Sequence, residues 1–543
     1  MRAAFLVVVA LALGYFLVRA ARIGLAGDYV DPILKIRAQD EAIAAHSAIE
    51  MAREGHWLTP TFLGRYALQE PPLLIWAAAG SARIFGIGRL ALRLPVALMA
   101  AFALGLVFLW AAELQSWEVG VAAVLLLAAN HLWHVFGSMA LTGGLLAAFC
   151  TIAMYCLYSD PWLSSPRWLA GFVASVTAAI LTRSVVGLLP IAVLIVYRIA
   201  APPNRRPGVW RLCTACALPL VLAAPWFLYQ NAAHGRWFLA EHRGIELLHF
   251  GAGAPPSSSQ QNPFTFYFAR ITGTDPTLLA LVLLAAPAFI RAIRKRDGDA
   301  ILLAAWIGLT IATAFLWSYR NGSYLLPALP ALAIVAAVYS PLAETPRRMW
   351  VPALAAFALL LKLWLPALPW GIRFVNGTVQ TQSALLSEYC QMNRGNELVL
   401  YAFDDDFYAS VLPLPRIRYA LVSPGAQIDS KSGVPFGFLG ITLEARQFKD
   451  LTRWEPIYGS RLREWGLDSG NPVGSLIVAR SVEELAEMIR THPQDDFFLP
   501  EYFHPALLDA RQTHDELSRG TYFFLLSRER KQRISPAAWS CEL

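Results

Sequence analysis

Leu94-Pro-Val-Ala-Leu-Met-Ala-Ala-Phe-Ala-Leu-Gly-Leu-Val-Phe-Leu-Trp-Ala-Ala112 runs for 19 residues without a charge, between Arg93 and Glu113. A membrane-crossing helix needs roughly 17–25 mostly apolar residues, so the stretch reads as one span. Similar runs lie near 3–19, 119–136, 139–158, 167–182, 185–200, 211–229, 275–292, 299–316, 324–340 and 350–368. The pair meeting at Thr182-Arg183 is joined by a very tight turn. The chain therefore reads as a polytopic α-helical membrane protein of about 11–13 transmembrane helices. Composition agrees, because the 543 residues are 56% hydrophobic and only 15% charged. Soluble domains carry about a quarter charged residues.

The formal net charge of +7 does not point to nucleic acid. Its basic residues sit in short loops between apolar runs, as in cytoplasmic loops of membrane proteins. Arg198, Arg205, Arg206 and Arg211 crowd one loop, Arg291, Arg294, Lys295 and Arg296 another, and Arg347 with Arg348 a third. Counting helices from these loops puts 230–274, the turn at 317–323 and everything after 369 on the outer side. The first run follows Arg2 and has no convincing cleavage site behind it, so it is expected to stay as an anchor. The stretch 72–86 is short and holds Trp76 and Arg83, which suits an amphipathic juxtamembrane helix. That reading keeps Asp40 outside.

Two domains are expected: a membrane domain over 1–368, with outer loops at 20–93 and 230–274, and a soluble outer α/β domain over 369–543. The tail alternates strand-like runs (Glu397–Tyr401, Ser475–Val478, Thr521–Leu526) with helix-like ones (Val482–Thr491, Ala506–Ser518), a pattern of small α/β folds. Cys213-Thr-Ala-Cys216 has no second pair to complete a zinc site. Asp404-Asp405-Asp406 follows a strand-like run and reads as a solvated loop rather than a metal motif. Cys390 and Cys541 leave room for one disulfide in the tail.

Asp40-Glu41 stands at the mouth of the membrane domain. Acids favour the first turn of a helix, and Gln39–Arg53 has helical periodicity, so capping is the plain reading. The wider pattern points elsewhere. Asp40-Glu41, then Gly55-His56-Trp57-Leu58-Thr59-Pro60, Leu68-Gln69-Glu70-Pro71-Pro72-Leu73 and Arg93-Leu94-Pro95 follow in order. Leu181–Pro190, Pro225-Trp226-Phe227, Glu241-His242 and Ser323–Ala331 continue the series. Over roughly residues 1–345 this resembles the type C glycosyltransferases that use polyprenyl-phosphate sugars. In pattern it is similar to bacterial aminoarabinose transferases and protein O-mannosyltransferases.

The resemblance implies a multi-pass protein of the bacterial inner membrane with an active site on the periplasmic side. It implies an inverting transfer from a polyprenyl-phosphate-linked sugar to a hydroxyl of a lipid, glycan or protein acceptor. Asp40 matches the family's proposed base. Arg183 and Arg320 are the first choices for the phosphate, with Arg243 and Arg236 behind them; Glu41, Glu70 and Tyr324 complete the expected substrate-binding set. A divalent metal ion, held by Glu70 and His242, is the one cofactor implied. The chain also departs from the family. The expected D-E-A-R-Y is Asp40-Glu41-Ala42-Ile43-Ala44, the lysine of E-K-P is Glu70, and the acid of L-T-D-M is Gly143. These changes open a second reading, a catalytically impaired relative that binds lipid or glycan or scaffolds an assembly.

Overall fold

The computed structural model describes residues 2–22, 39–62, 65–235, 238–239, 242, 262–274, 276–317, 320–364, 400–402, 417–422, 476–479, 482–500, 513–519 and 522–529. The part up to 364 is a helical bundle. Its first ten helices are α1 (Arg2–Arg22), α2 (Gln39–Glu54), α3 (Leu73–Phe85), α4 (Arg89–Leu114), α5 (Trp117–Ala129), α6 (His131–Phe136), α7 (Thr142–Ser159), α8 (Pro166–Arg183), α9 (Leu189–Ala200) and α10 (Val209–His234). Helices Pro263–Thr274, Pro276–Arg294, Gly298–Leu316, Leu329–Val338 and Trp350–Trp364 follow.

Seven stretches among the described residues are long and apolar enough to cross a membrane, and Leu73–Phe85, Trp117–Ala129 and Gly322–Val338 are shorter apolar helices. One of the seven, Pro166–Ala200, is 35 residues long and takes in two of the expected runs, and local chemistry shapes three other stretches. The run at 119–136 breaks at Asn130, whose side chain accepts from the Trp133 amide at 3.3 Å and starts α6 as an N-cap. The run at 324–340 opens as a 3₁₀ turn, Gly322–Ala328, because Pro327 and Pro330 remove backbone donors there. The stretch at 72–86 forms the 13-residue α3, too short to span.

The turn expected at Thr182-Arg183 is sharp. Ser184 takes φ 42°, the chain runs through a 3₁₀ segment to Leu188, and Gly187 doubles back onto α8. A Cβ on Gly187 would lie 2.4 Å from the Ala179 carbonyl, so only glycine fits.

Small residues let the helices approach closely, as in membrane bundles. α2 buries Ala45, Ala48, Ile49 and Ala52 on one face, and α3 answers with Ile75, Ala78, Ala79 and Ala82. Both sets follow the i, i+3, i+4 spacing of a helical stripe. Deeper in the bundle, Trp110 stacks on Tyr158 with centroids 4.6 Å apart and on Trp306 at 6.2 Å.

The tail is built on a mixed six-stranded sheet of strands Leu400–Ala402, Ile417–Val422, Leu476–Ala479, Asp496–Pro500, His514–Arg519 and Tyr522–Ser527. The first four pair in parallel and the last two close one edge as an antiparallel hairpin. Helix Val482–Thr491 falls where the sequence places it. The helix expected over Ala506–Ser518 does not extend to its end, because His514–Arg519 is a strand. Its register against Tyr522–Ser527 shows why: cross-strand pairing overrides local helix preference.

Candidate active site at one end of the bundle

The segment between α1 and α4 is tied to the bundle at three places. The innermost tie is a buried ion pair. Arg93, at 0% exposure near the start of α4, donates from Nε and Nη2 to the two carboxylate oxygens of Glu41, both at 2.6 Å. The third arm of the hub, Arg93 Nη1, donates to the Ala20 carbonyl at 2.8 Å, and the Ala140 amide donates to Glu41 at 2.7 Å. One carboxylate thus joins α1, α2, α4 and the α6–α7 connection. Glu41 is expected above to meet substrate, and here the geometry is against it, since both its oxygens are engaged inside the protein.

Asp40 immediately precedes Glu41 in the first turn of α2. Its side chain lies outside the described residues, as do Arg236, Arg243 and Asp404-Asp405-Asp406.

The second tie explains the Trp57-Leu58-Thr59-Pro60 motif. Trp226 Nε1 and Gln230 Nε2, on the last turns of α10, donate to the Leu58 carbonyl at 3.0 and 2.6 Å. The Thr59 hydroxyl donates to Gln230 at 3.2 Å, and Trp76 of α3 donates to the Trp57 carbonyl. The motif docks the loop: its backbone carbonyls are held by side chains of α10 and α3. The short hairpin Thr61–Phe62 and Arg65–Tyr66 then returns the chain toward Glu70.

The third tie gathers three of the expected residues. Glu70 forms an ion pair with Arg183 at the end of α8, and Arg183 Nη1 also donates to Thr142 Oγ1, the first residue of α7, at 3.2 Å. Alongside, His242 Nδ1 donates to the Gln69 carbonyl at 2.8 Å, while Ser184 Oγ donates to Nε2 at 2.9 Å. A carbonyl can only accept, so the imidazole proton is on Nδ1 and Nε2 is the acceptor. His242 is buried and stacked on Phe238, centroids 5.1 Å apart.

This arrangement does not fit a metal held by Glu70 and His242. The carboxylate faces a guanidinium, and both ring nitrogens are engaged. Among the described residues no three His, Cys, Asp or Glu side chains converge on a metal position.

Arg320 and Tyr324 belong to the same end of the bundle. Arg320 Nη1 donates to the Trp317 carbonyl at 3.0 Å, and Tyr324 lies against Trp317 with ring centroids 6.3 Å apart. The turn Gly322–Ala328 reaches the start of α7, where a Cβ on Gly143 would stand 3.4 Å from Leu326 and 2.9 Å from the Phe136 ring. The position where the family carries an acid is thus packed with hydrocarbon.

A second polar cluster, which sequence reasoning missed, lies under this end. Arg19 donates to His134 Nε2 at 2.6 Å and to Ser138 Oγ, and Tyr15 meets the other nitrogen of His134. Arg19 and Arg93 both end apolar runs, and that position was the available signal. The opposite end of the bundle holds the basic loops, joined by an Arg205–Asp299 pair at 2.6 Å.

Residues 69–237 match the family described as dolichyl-phosphate-mannose-protein mannosyltransferase. An uncharacterized protein of Aquifex aeolicus (strain VF5) is 25% identical over 304 residues, which are 55% of this chain and 58% of that protein. A second uncharacterized protein of the same organism is 23% identical over 309 residues, 56% of this chain and 68% of its own length. ArnT from Cupriavidus metallidurans in the apo state has the same fold, with a TM-score of 0.68, 16% identity, and coverage of 96% of this chain and 97% of that one. The same protein bound to undecaprenyl phosphate superposes with a TM-score of 0.65 at 17% identity, covering 97% of this chain and 99% of that one.

The fold defines the class, a polytopic helical bundle with the architecture of ArnT. Within it, residues 69–237 carry the match to the dolichyl-phosphate-mannose-protein mannosyltransferase family.

Proposed function

We propose that the chain transfers a sugar from a polyprenyl-phosphate donor to a hydroxyl of a lipid, glycan or protein acceptor, on the outer side of the bacterial inner membrane. The family matched at residues 69–237 carries a lipid-phosphate sugar donor in its description, and one ArnT structure is described as bound to undecaprenyl phosphate. The observation that carries the reading is the Glu41–Arg93 hub. It anchors the chain one residue after Asp40 to α1, α4 and the α6–α7 connection, at the end that also holds Arg183, Arg320 and Tyr324. A general base must be held rigidly to be useful, and the neighbouring residue supplies that rigidity.

In the proposed reaction Asp40 takes the proton of the acceptor hydroxyl as its oxygen attacks the anomeric carbon. The bond from that carbon to the phosphate oxygen breaks with inversion, and the polyprenyl phosphate leaves with its charge met by arginine. Glu41 acts as a positioning residue through Arg93. His242 does the same for Gln69-Glu70. No step runs through a metal. The soluble tail over 369–543 is proposed as a separate outer domain.

The test is sugar transfer from a polyprenyl-phosphate sugar pool by purified protein in nanodiscs. Asp40→Asn is expected to lower the rate by about 10²–10⁴-fold, the usual contribution of a positioned base. Full activity in that variant would remove Asp40 from the chemistry. A second reading, an impaired relative that only binds lipid or glycan, is favoured by the neutralisation of Arg183 by Glu70. Under that reading the unmodified protein transfers no sugar from any donor.

A further inference from the structure

The pair Glu70–Arg183 is held together by more than its own attraction. Gln69, beside Glu70, and Ser184, beside Arg183, are bridged by the two nitrogens of His242. The turn after Arg183 is fixed in turn by Ser184 at φ 42° and by Gly187 packed on the α8 backbone. The two segments are thus held together by the His242 bridge as well as by the ion pair. Yet the pair is not sealed, since the Arg183 and Glu70 side chains keep 24% and 36% exposure. A buried structural pair such as Glu41–Arg93 has none. An arginine that stays accessible while carrying an internal anion is a cation with a built-in competitor.

We propose that Glu70 is an internal counter-ion that speeds release of the polyprenyl-phosphate product from Arg183. This rests on the reading of Arg183 as a phosphate partner. The donor is a phosphodiester with one negative charge. The product is a monoester whose second pKa is about 6, so it approaches two negative charges at neutral pH. The field of Glu70 acts on both, but its repulsion of the product is nearly twice as large, because Coulomb energy scales with charge. The Arg183–Thr142 contact keeps the guanidinium aligned when the carboxylate is displaced. The attraction of Arg183 for the product grows in the same ratio, so Glu70 cancels the preference for product over donor that a lone arginine would have.

Binding of undecaprenyl phosphate to the full-length protein in phosphatidylcholine nanodiscs tests this. Glu70→Gln is expected to tighten binding by about fivefold, the scale of a partly exposed charge pair. Glu70→Ser removes the same charge with a smaller side chain and guards against a folding failure in the first variant. The gain should vanish in Glu70→Gln/Arg183→Gln. In turnover, Glu70→Gln should lower the inhibition constant for undecaprenyl phosphate more than the donor KM. Unchanged or weaker binding in both single variants overturns the counter-ion role. If neither the unmodified protein nor any variant binds undecaprenyl phosphate, the reading of the site itself falls, and this inference with it.

Discussion

Arg93 and Glu41 are the residues on which one end of the bundle turns. Both are at 0% exposure, and their charges are tolerable only because guanidinium, carboxylate, a carbonyl and an amide satisfy one another. Arg93→Met would strand a buried carboxylate, and breaking such a pair costs about 3–5 kcal/mol. The expected result is a large fall in thermal midpoint in detergent, with much of it restored in Glu41→Gln/Arg93→Met. Equal losses in the single and double variants would show that the pair is not coupled. The sequence marks Arg93 through Arg93-Leu94-Pro95 and marks Glu41 as half of an acidic pair. It does not reveal that the two meet, because 52 residues separate them.

Elements differ in how much of their form is local. Val482–Thr491 was legible because its apolar spacing alone specifies a helix. His514–Arg519 was not, because its strand exists through pairing with Tyr522–Ser527. That hairpin carries a pH prediction. His514 Nε2 hydrogen-bonds to the Asp495 carbonyl at 2.9 Å, and burial lowers the His514 pKa below the ordinary imidazole value of 6.5. The folded state therefore prefers the neutral ring. Stability from this group is complete above 6.5 and is lost as pH falls below that value toward the folded pKa. Hydrogen exchange of the Tyr522–Ser527 amides is expected to accelerate below pH 6.5 in the native chain and to lose that dependence in His514→Gln.

At the scale of the whole molecule, charge separates the two ends of the bundle. The basic loops, joined by Arg205–Asp299, lie at one end; Glu41–Arg93, Glu70–Arg183 and Arg320 lie at the other. The excess of positive loops predicts that the first end faces the cytoplasm. In a chain freed of its native cysteines, Asn262→Cys is expected to react with an impermeant maleimide in intact cells. Asn204→Cys should react only after the inner membrane is opened. Both positions are exposed, so accessibility reports sidedness rather than burial. The reverse pattern would invert the proposed topology.

The amino-acid sequence by itself determined the membrane bundle, the order of its motifs and the family to which they point. Those properties rest on apolar run length and local residue chemistry, which a linear chain displays. Only the tertiary structure decided what the motif residues do: Trp57–Pro60 docks a loop, Glu41 is locked to Arg93, and His242 supports Gln69 rather than a metal. Each of those roles is a pairing between distant residues, formed when helices of small side chains pack closely enough for polar groups to find one another. Hydropathy cannot encode such a partner choice.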